Sequence, residues 1–252
     1  MKSSAIYISS GNNDTFGKYA IKKYSQYCDI IINYYGSNGA DLNFFKTHAK
    51  RFSKLNTTKF ISLKENYHKL HINKYDCVYV FDDDCIPVQG NLLDLYKILI
   101  NYSLALISPS HDPRGKGLIK LMHHKPGSHK FRYTNFIEMN FPVFSQEALH
   151  KYMKIYDGKL CGWGNDWWFC HVNNCYKILN CGIYDNVIVR NPFGVNKKQT
   201  YGELNDHTYS KIEKSDIDNF MTKGDRRQQW IKTMLDNNIR EWHRKNLKYV
   251  YA

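Results

Sequence analysis

The chain has 252 residues, of which 42% are hydrophobic and 15% aromatic, enough apolar material for one large or two small packed domains. Its 36 Lys and Arg outnumber 23 Asp and Glu, and the formal charge of +13 predicts an anionic partner among nucleotides, phosphates, nucleic acid and acidic membranes. Met1-Lys2-Ser3-Ser4 leads only into a short apolar run, and no stretch approaches the ~18 apolar residues of a membrane span, so neither a signal peptide nor a transmembrane segment is expected, and a cytoplasmic protein is.

In chain order, Ala5 to Ser9 alternates as a strand, Ser10 to Asp14 is a turn, Lys18 to Cys28 a helix and Asp29 to Tyr35 a second strand. A strand, helix, strand opening predicts a parallel sheet with helices on its faces. Phe44 to Phe52 reads as helix, Lys59 to Leu63 as a short strand and Lys64 to Asn73 as helix. The apolar strand from Tyr75 then runs into Asp82-Asp83-Asp84 and stops at Pro87. Leu92 to Tyr102 is helical, Leu104 to Ser108 a strand and His111 to Gly115 a turn, and residues 116–130, rich in Gly, Lys and His, form a loop expected to be mobile. Phe131 to Ser145 reads as one long β segment and Gln146 to Tyr156 as helix. A helix follows through Trp167, Phe169 and Val172, capped by Asn165 or Asp166, and Asp185 to Val189 is the last buried strand. Beyond Pro192 the pattern is polar until an amphipathic helix over Lys223 to Lys245. The expected organisation is one domain over 1–200 with a C-terminal helical extension, 201–252, packed on it.

The seven cysteines (28, 77, 85, 161, 170, 175 and 181) are odd in number, form no CxxC and lie partly in apolar segments, which predicts a reducing compartment and no zinc site.

Two constellations carry chemistry. Asp82 and Asp84, at i and i+2 of a strand, point the same way and can converge on one cation, while Asp83 turns toward a ribose, a backbone amide or a lysine. The carboxyl end of a parallel strand is where open α/β sheets bind ligands. Gly162-Trp163-Gly164-Asn165-Asp166 is the second. Its Trp163 offers a flat face for a sugar ring, and Asp166 at a helix start is placed to take a proton from a hydroxyl nucleophile.

Together these patterns resemble a GT-A type glycosyltransferase. The blocks Ile107 to Pro113, Ile137 to Ser145 and Gly162 to Asp166 further resemble a family of plant and viral proteins labelled lysine-ketoglutarate reductase trans-splicing related, over about residues 75–190. The resemblance implies a Rossmann-like, mostly parallel sheet flanked by helices, a nucleotide-diphospho-sugar donor and Mn²⁺ or Mg²⁺ at Asp82 and Asp84. It implies Asp166 as the base of an inverting transfer to a glycan hydroxyl. Ser9, Ser10, Gly11 and Asn33 become candidates to hold the nucleoside, and Glu138 and His111, with Trp163, to hold the acceptor. The loop carrying His123, His124, Lys125, Gly127 and His129 becomes a candidate lid. The family's last strand is usually followed by a His, whereas this chain has Arg190-Asn191. Arg190 then becomes a partner of the pyrophosphate, and His207 or water a candidate third metal ligand. UDP is expected by class frequency, with UDP-xylose, UDP-glucose and UDP-galactose as open donors. A viral source suits both the resemblance and the Asn, Lys, Tyr and Ile bias.

Two rival readings remain at this level. Phe81 to Asp84 also resembles the strand-end motif of aspartate-nucleophile phosphatases, with Asp82 attacking phosphorus, but there the motif normally lies near the N-terminus. Arg226, Arg227, Trp230, Arg240, Trp242, Arg244 and Lys248 suggest nucleic-acid binding, though the same segment suits peripheral contact with an anionic membrane, which fits the glycosyltransferase reading better.

Overall fold

A computed structural model describes residues 4–12, 14–115, 119–127, 131–158, 160, 162, 164–192 and, as backbone, 249–251. Strands β1 (Ser4–Ser10), β2 (Asp29–Tyr34), β3 (Arg51–Ser53) and β4 (Cys77–Asp82) form a parallel half-sheet in the order β4-β1-β2-β3. Beyond β4 the order continues through β8 (Val143–Ser145), β6 (Leu106–His111), β9 (Cys181–Arg190), β7 (Phe131–Thr134) and β10 (Tyr249–Tyr251), and β5 (Ile86–Gln89) pairs separately with β9. Only β5, β7 and β8 run against the rest. The carboxyl ends of β1, β2, β4, β6 and β9 therefore share one edge.

Both faces are covered, which is why these strands read as continuous apolar runs. Ile6, Ile8, Ile30, Ile32, Tyr79 and Phe81 pack under α1 (Phe16–Tyr24), α2 (Gly39–His48) and α4 (Asp94–Asn101). Ala5, Tyr7, Ile31, Val78 and Val80 pack under α3 (Lys59–Lys69), α5 (Gln146–Ile155) and α6 (Asn165–Val172). The expected α/β architecture is present.

Several local expectations are corrected. Residues 59–63 open helix α3 rather than forming a strand, because buried Phe60, Leu63 and Tyr67 follow three- and four-residue spacing once the window is extended. Helix α2 starts upstream of the predicted Phe44, where the Asn38 side chain accepts from Ala40 N at 2.9 Å, and the Phe52 end is strand β3. Helix α1 likewise starts early, since Asp14 accepts from the amides of Gly17 and Lys18 at 2.8 and 3.0 Å. The single β segment over 131–145 is two strands flanking a loop. Helix α6 has Gly164 at its N-cap with φ 97° and no side-chain cap, so Asn165 and Asp166 lie in its first turn instead. Cys175 and Cys181 are disulfide-bonded across the return from α6 to β9, where their Cα atoms are 5.8 Å apart, in contrast to the expected free thiols. Cys28, Cys77, Cys85 and Cys170 are free and buried. Among the described residues no helix is long and apolar enough to cross a membrane. The predicted helix over 223–245, the basic and aromatic segment around it, His129 and His207 lie outside the described residues.

Candidate active site at the carboxyl edge of the sheet

Strand β4 delivers Asp82 to the edge with its side chain 29% exposed, and Asp83 and Asp84 follow, half-buried, in the turn to β5. The three carboxylates do not point alike. Asp83 faces into the β1–α1 loop, where its Oδ2 accepts from Gly11 N at 2.7 Å and from the Tyr35 hydroxyl at 3.0 Å. Its backbone carbonyl accepts from the amides of Thr15 and Phe16. Asp83 therefore holds the Gly11 loop and the start of α1 in place. Burial, then the charges of Asp14 and Asp84, push its carboxyl up to about 8, with the Gly11 amide opposing. Burial also raises the Tyr35 hydroxyl, Asp83 adding to it.

Asp82 is bound by Lys59, the first residue of α3, whose Nζ lies 2.7 Å from Oδ1. The same ammonium donates to the carbonyls of Met139 at 2.6 Å and Asn140 at 3.2 Å. Those residues belong to the loop before β8, which runs beside β4, with Asp82 N donating to Asn140 O at 3.2 Å. Sequence reasoning missed Lys59, because a lysine opening an apolar run carries no mark of burial until the helix is placed.

Asp166 lies in the first turn of α6 and is buried at 8% exposure. Burial raises its carboxyl to about 6, and the amides of Trp167, Asp166 itself, Gly164 and Met139 hold it down against that. Met139 thus bridges the two constellations, its N–H toward Asp166 and its C=O toward Lys59 and, through it, Asp82. Asn165 fixes the glycine loop from within, donating to Leu160 O and Gly162 O at 2.9 and 2.7 Å and accepting from Tyr152. Trp167 and Trp168 are core residues, and Trp163 lies outside the described residues.

The remaining predicted residues also reach this edge, in varied roles. Ser9 and Asn33 lie one residue before the ends of β1 and β2, the Asn33 Nδ2 within 3.5 Å of Ser9 Oγ. Asn33 is fully enclosed and holds residues 53–55, accepting from Ser53 Oγ at 2.9 Å and Leu55 N at 3.0 Å and donating to Leu55 O at 3.1 Å. Ser10 Oγ donates to Asp14 at 2.9 Å. His111, at the end of β6, is buried with its Nδ1 3.4 Å from Glu138 Oε2. Burial, then His123, pushes the imidazole down to about 3, so it is neutral. Arg190, at the end of β9, donates from Nε and Nη2 to Asp112 Oδ2 at 2.9 and 2.6 Å. Residue Ile86 pairs with Arg190 in the β5–β9 register, which places this arginine beside the turn carrying Asp84.

The loop read as a lid is anchored where it is described. Arg132, fully buried, clamps Asp185 with Nε and Nη2 at 2.6 and 3.0 Å and donates to the carbonyls of Leu121 and His123, each at 3.0 Å. Lys125 N adds a bond to Asp185 at 3.2 Å, and His124 N donates to His111 O at 2.8 Å.

Among the described residues no three His, Cys, Asp or Glu converge as a ready-made metal cage. The donors at the turn are hard carboxylate oxygens clustered with like charge, a set that suits Mg²⁺ or Mn²⁺ completed by phosphate oxygens and water rather than a soft-metal site.

The sequence matches no protein-family model and no curated protein. The fold is shared with GalNAc-T7, crystallised with UDP, GalNAc and Mn²⁺ (TM-score 0.56, 11% identity over 77% of this chain), and with residues 1–349 of S. aureus TarS (0.55, 10%, 81%). TarS in complex with UDP-GlcNAc superposes with TM-score 0.52 at 9% identity over 77% of this chain and 60% of its own. The present chain spans 44% of the GalNAc-T7 chain and 63% of the uncomplexed TarS chain. The fold is GT-A-like.

Proposed function

We propose that this protein is a divalent-metal-dependent, inverting glycosyltransferase that moves a sugar from a UDP-sugar to a glycan hydroxyl. The observation that carries the reading is the convergence of the Asp82–Asp84 turn and Asp166 on one sheet edge, joined through Lys59 and Met139. The shared fold supports it, in that GalNAc-T7 was crystallised with UDP and Mn²⁺ and TarS with UDP-GlcNAc.

In this reading Asp82 and Asp84 would hold Mn²⁺ or Mg²⁺, which would supply positive charge for the departing diphosphate. Asp166, buried and accepting from Trp167 N at 3.0 Å, accepts the proton of the acceptor hydroxyl as that oxygen attacks the anomeric carbon from the face opposite the leaving group. The loop of Ser9, Ser10 and Gly11, braced by Asp83, forms one wall of the nucleoside pocket, and residues 53–55, braced by Asn33, form another. Arg190 faces the diphosphate. Trp163 stacks on the acceptor, and the neutral His111 with Glu138 offers hydrogen bonds to its hydroxyls. Peripheral contact with an anionic membrane through the C-terminal basic residues remains part of the proposal.

The test is release of UDP from UDP-xylose, UDP-glucose, UDP-galactose, UDP-GlcNAc and UDP-GalNAc with Mn²⁺ over a glycan acceptor panel. Turnover of at least one donor, lost in Asp166→Asn and in EDTA, supports the proposal. Release of inorganic phosphate from phosphate esters, with a phosphoryl group trapped on Asp82, contradicts it.

A further inference from the structure

We infer that Asp112, Arg114 and Arg190 form a preorganised two-arginine site for the diphosphate of the donor, an inference that rests on the proposed function and adds Asp112 and Arg114 to its machinery. Asp112 is 3% exposed and accepts from both guanidiniums. Arg190 donates Nε and Nη2 to Oδ2, while Arg114 donates Nη2 to Oδ2 at 2.8 Å, Nε to Oδ1 and Oδ2 at 3.0 and 3.2 Å, and its backbone N–H to Oδ1 at 3.0 Å. One carboxylate between two arginines leaves a net positive charge.

That charge is held in one place. The Arg114 side chain is 71% exposed yet pinned by three bonds, so the entropy of fixing a long surface side chain is already spent before any ligand arrives. The turn lies directly on β9. A Cβ at Gly115 would stand 2.7 Å from both Arg190 Cγ and Asn191 O, so only glycine lets the two arginines approach this closely. A merely structural salt bridge needs one arginine, whereas two guanidiniums that share one carboxylate through Nε and Nη2 keep their Nη1 groups outside that pairing, as donors for the oxygens of a diphosphate.

The position selects the ligand. Arg190 is paired with Ile86, two residues past Asp84, so the cluster lies on the far side of the carboxylate turn from the Ser9–Gly11 loop. A phosphorylated acceptor would present the same chemistry, but the proximity to the carboxylate turn favours the donor diphosphate.

The test is calorimetric titration of inorganic pyrophosphate, UDP, UMP and uridine into wild type and Arg114→Gln, with EDTA present so that no divalent cation bridges ligand and protein. The exposed Arg114 side chain makes this variant safe for folding, and Arg114→Lys checks whether charge alone suffices. Expected is a loss of about tenfold in pyrophosphate and UDP affinity in Arg114→Gln, partial recovery in Arg114→Lys and unchanged uridine binding. Unchanged pyrophosphate and UDP affinity in Arg114→Gln, or no pyrophosphate binding to wild type, overturns the inference and leaves the glycosyltransferase reading standing. Wild type that binds pyrophosphate through Arg114 but binds neither UDP nor UMP overturns that reading instead and leaves the anion site. A phosphorylated glycan that competes with pyrophosphate while UDP does not overturns the assignment to the donor.

Discussion

Removing either member of the Arg132–Asp185 pair strands the other in the core. Arg132 has no exposure and Asp185 only 3%, and the guanidinium makes two bonds to the carboxylate and one each to the carbonyls of Leu121 and His123. Breaking a buried pair from one side costs about 3–5 kcal/mol, because the remaining charge keeps its desolvation penalty and loses its partner. Arg132→Met leaves the Asp185 carboxylate with Lys125 N and His124 as its neighbours and orphans two carbonyls. Asp185→Leu leaves a buried guanidinium. The double variant removes both charges, and its cost is expected below that of either single change, so the coupling is at least about 3 kcal/mol. Urea denaturation measures this directly: with m near 2–3 kcal/mol/M, each single variant shifts the midpoint down by about 1–2 M, and the double variant by less. Hydrogen exchange adds the local readout, since amides 121–125 lose protection in the singles. These residues back His111, so the same variants loosen the side of the site proposed to hold the acceptor. Additive single costs with no coupling would refute the account of Arg132 as the anchor of this loop.

Four further outcomes follow from the site. Asp166→Asn is expected to lower transfer by about 10²–10⁴-fold while leaving UDP affinity within twofold, measured by turnover and calorimetry. Because the Asp166 carboxyl is raised to about 6 and must be ionised to act, kcat/KM in wild type rises about tenfold per pH unit below 6 and flattens above it. A flat profile from pH 5 to 8 would remove Asp166 as the base. Lys59→Met is expected to destabilise by about 2–3 kcal/mol in urea, since three hydrogen bonds from one ammonium are lost, though the partial exposure of Asp82 limits the effect. A loss under 0.5 kcal/mol would show that the Asp82–Lys59–Met139 link is weak. Arg114 chiefly, with Arg190, holds the Asp112 carboxyl well below the usual carboxylate range, so the stability it contributes is present above about pH 4 and lost as pH falls below that. Asp112→Asn should therefore flatten the acid side of the stability curve between pH 5 and pH 2, and an unchanged acid limb would contradict the cluster.

The fold was legible where burial writes a simple pattern. Continuous apolar runs ending in turn residues located β1, β2 and β4, and the carboxylates of residues 82–84 lie at the carboxyl end of β4 as expected. Where short runs are ambiguous the reading failed, as over residues 59–63, whose three- and four-residue spacing emerges only in a longer window. The residues that organise the site were mostly silent. Lys59, Arg132, Asp185, Asp112 and Arg114 are charged residues scattered through apolar or turn segments, and their meaning lies in partners 50 or more residues away or across a tight turn. Arg132 and Asp185 did carry a signal, a lone charge in an apolar strand, and two such charges of opposite sign invite pairing. Strand alternation sets Asp83 apart from Asp82 and Asp84, and of the partners open to it, a ribose, a backbone amide or a lysine, the structure gives it the Gly11 amide in the β1–α1 loop.

The central claim is a nucleotide-diphosphate site at the Asp82–Asp84 turn. It is tested most directly by calorimetric titration of UDP into wild type and Asp84→Ala, each with Mn²⁺ and with EDTA. Binding to wild type that tightens with Mn²⁺, and loses that metal dependence in Asp84→Ala, is the predicted result. No UDP binding to wild type under either condition, or metal-enhanced binding that survives Asp84→Ala unchanged, would contradict the account.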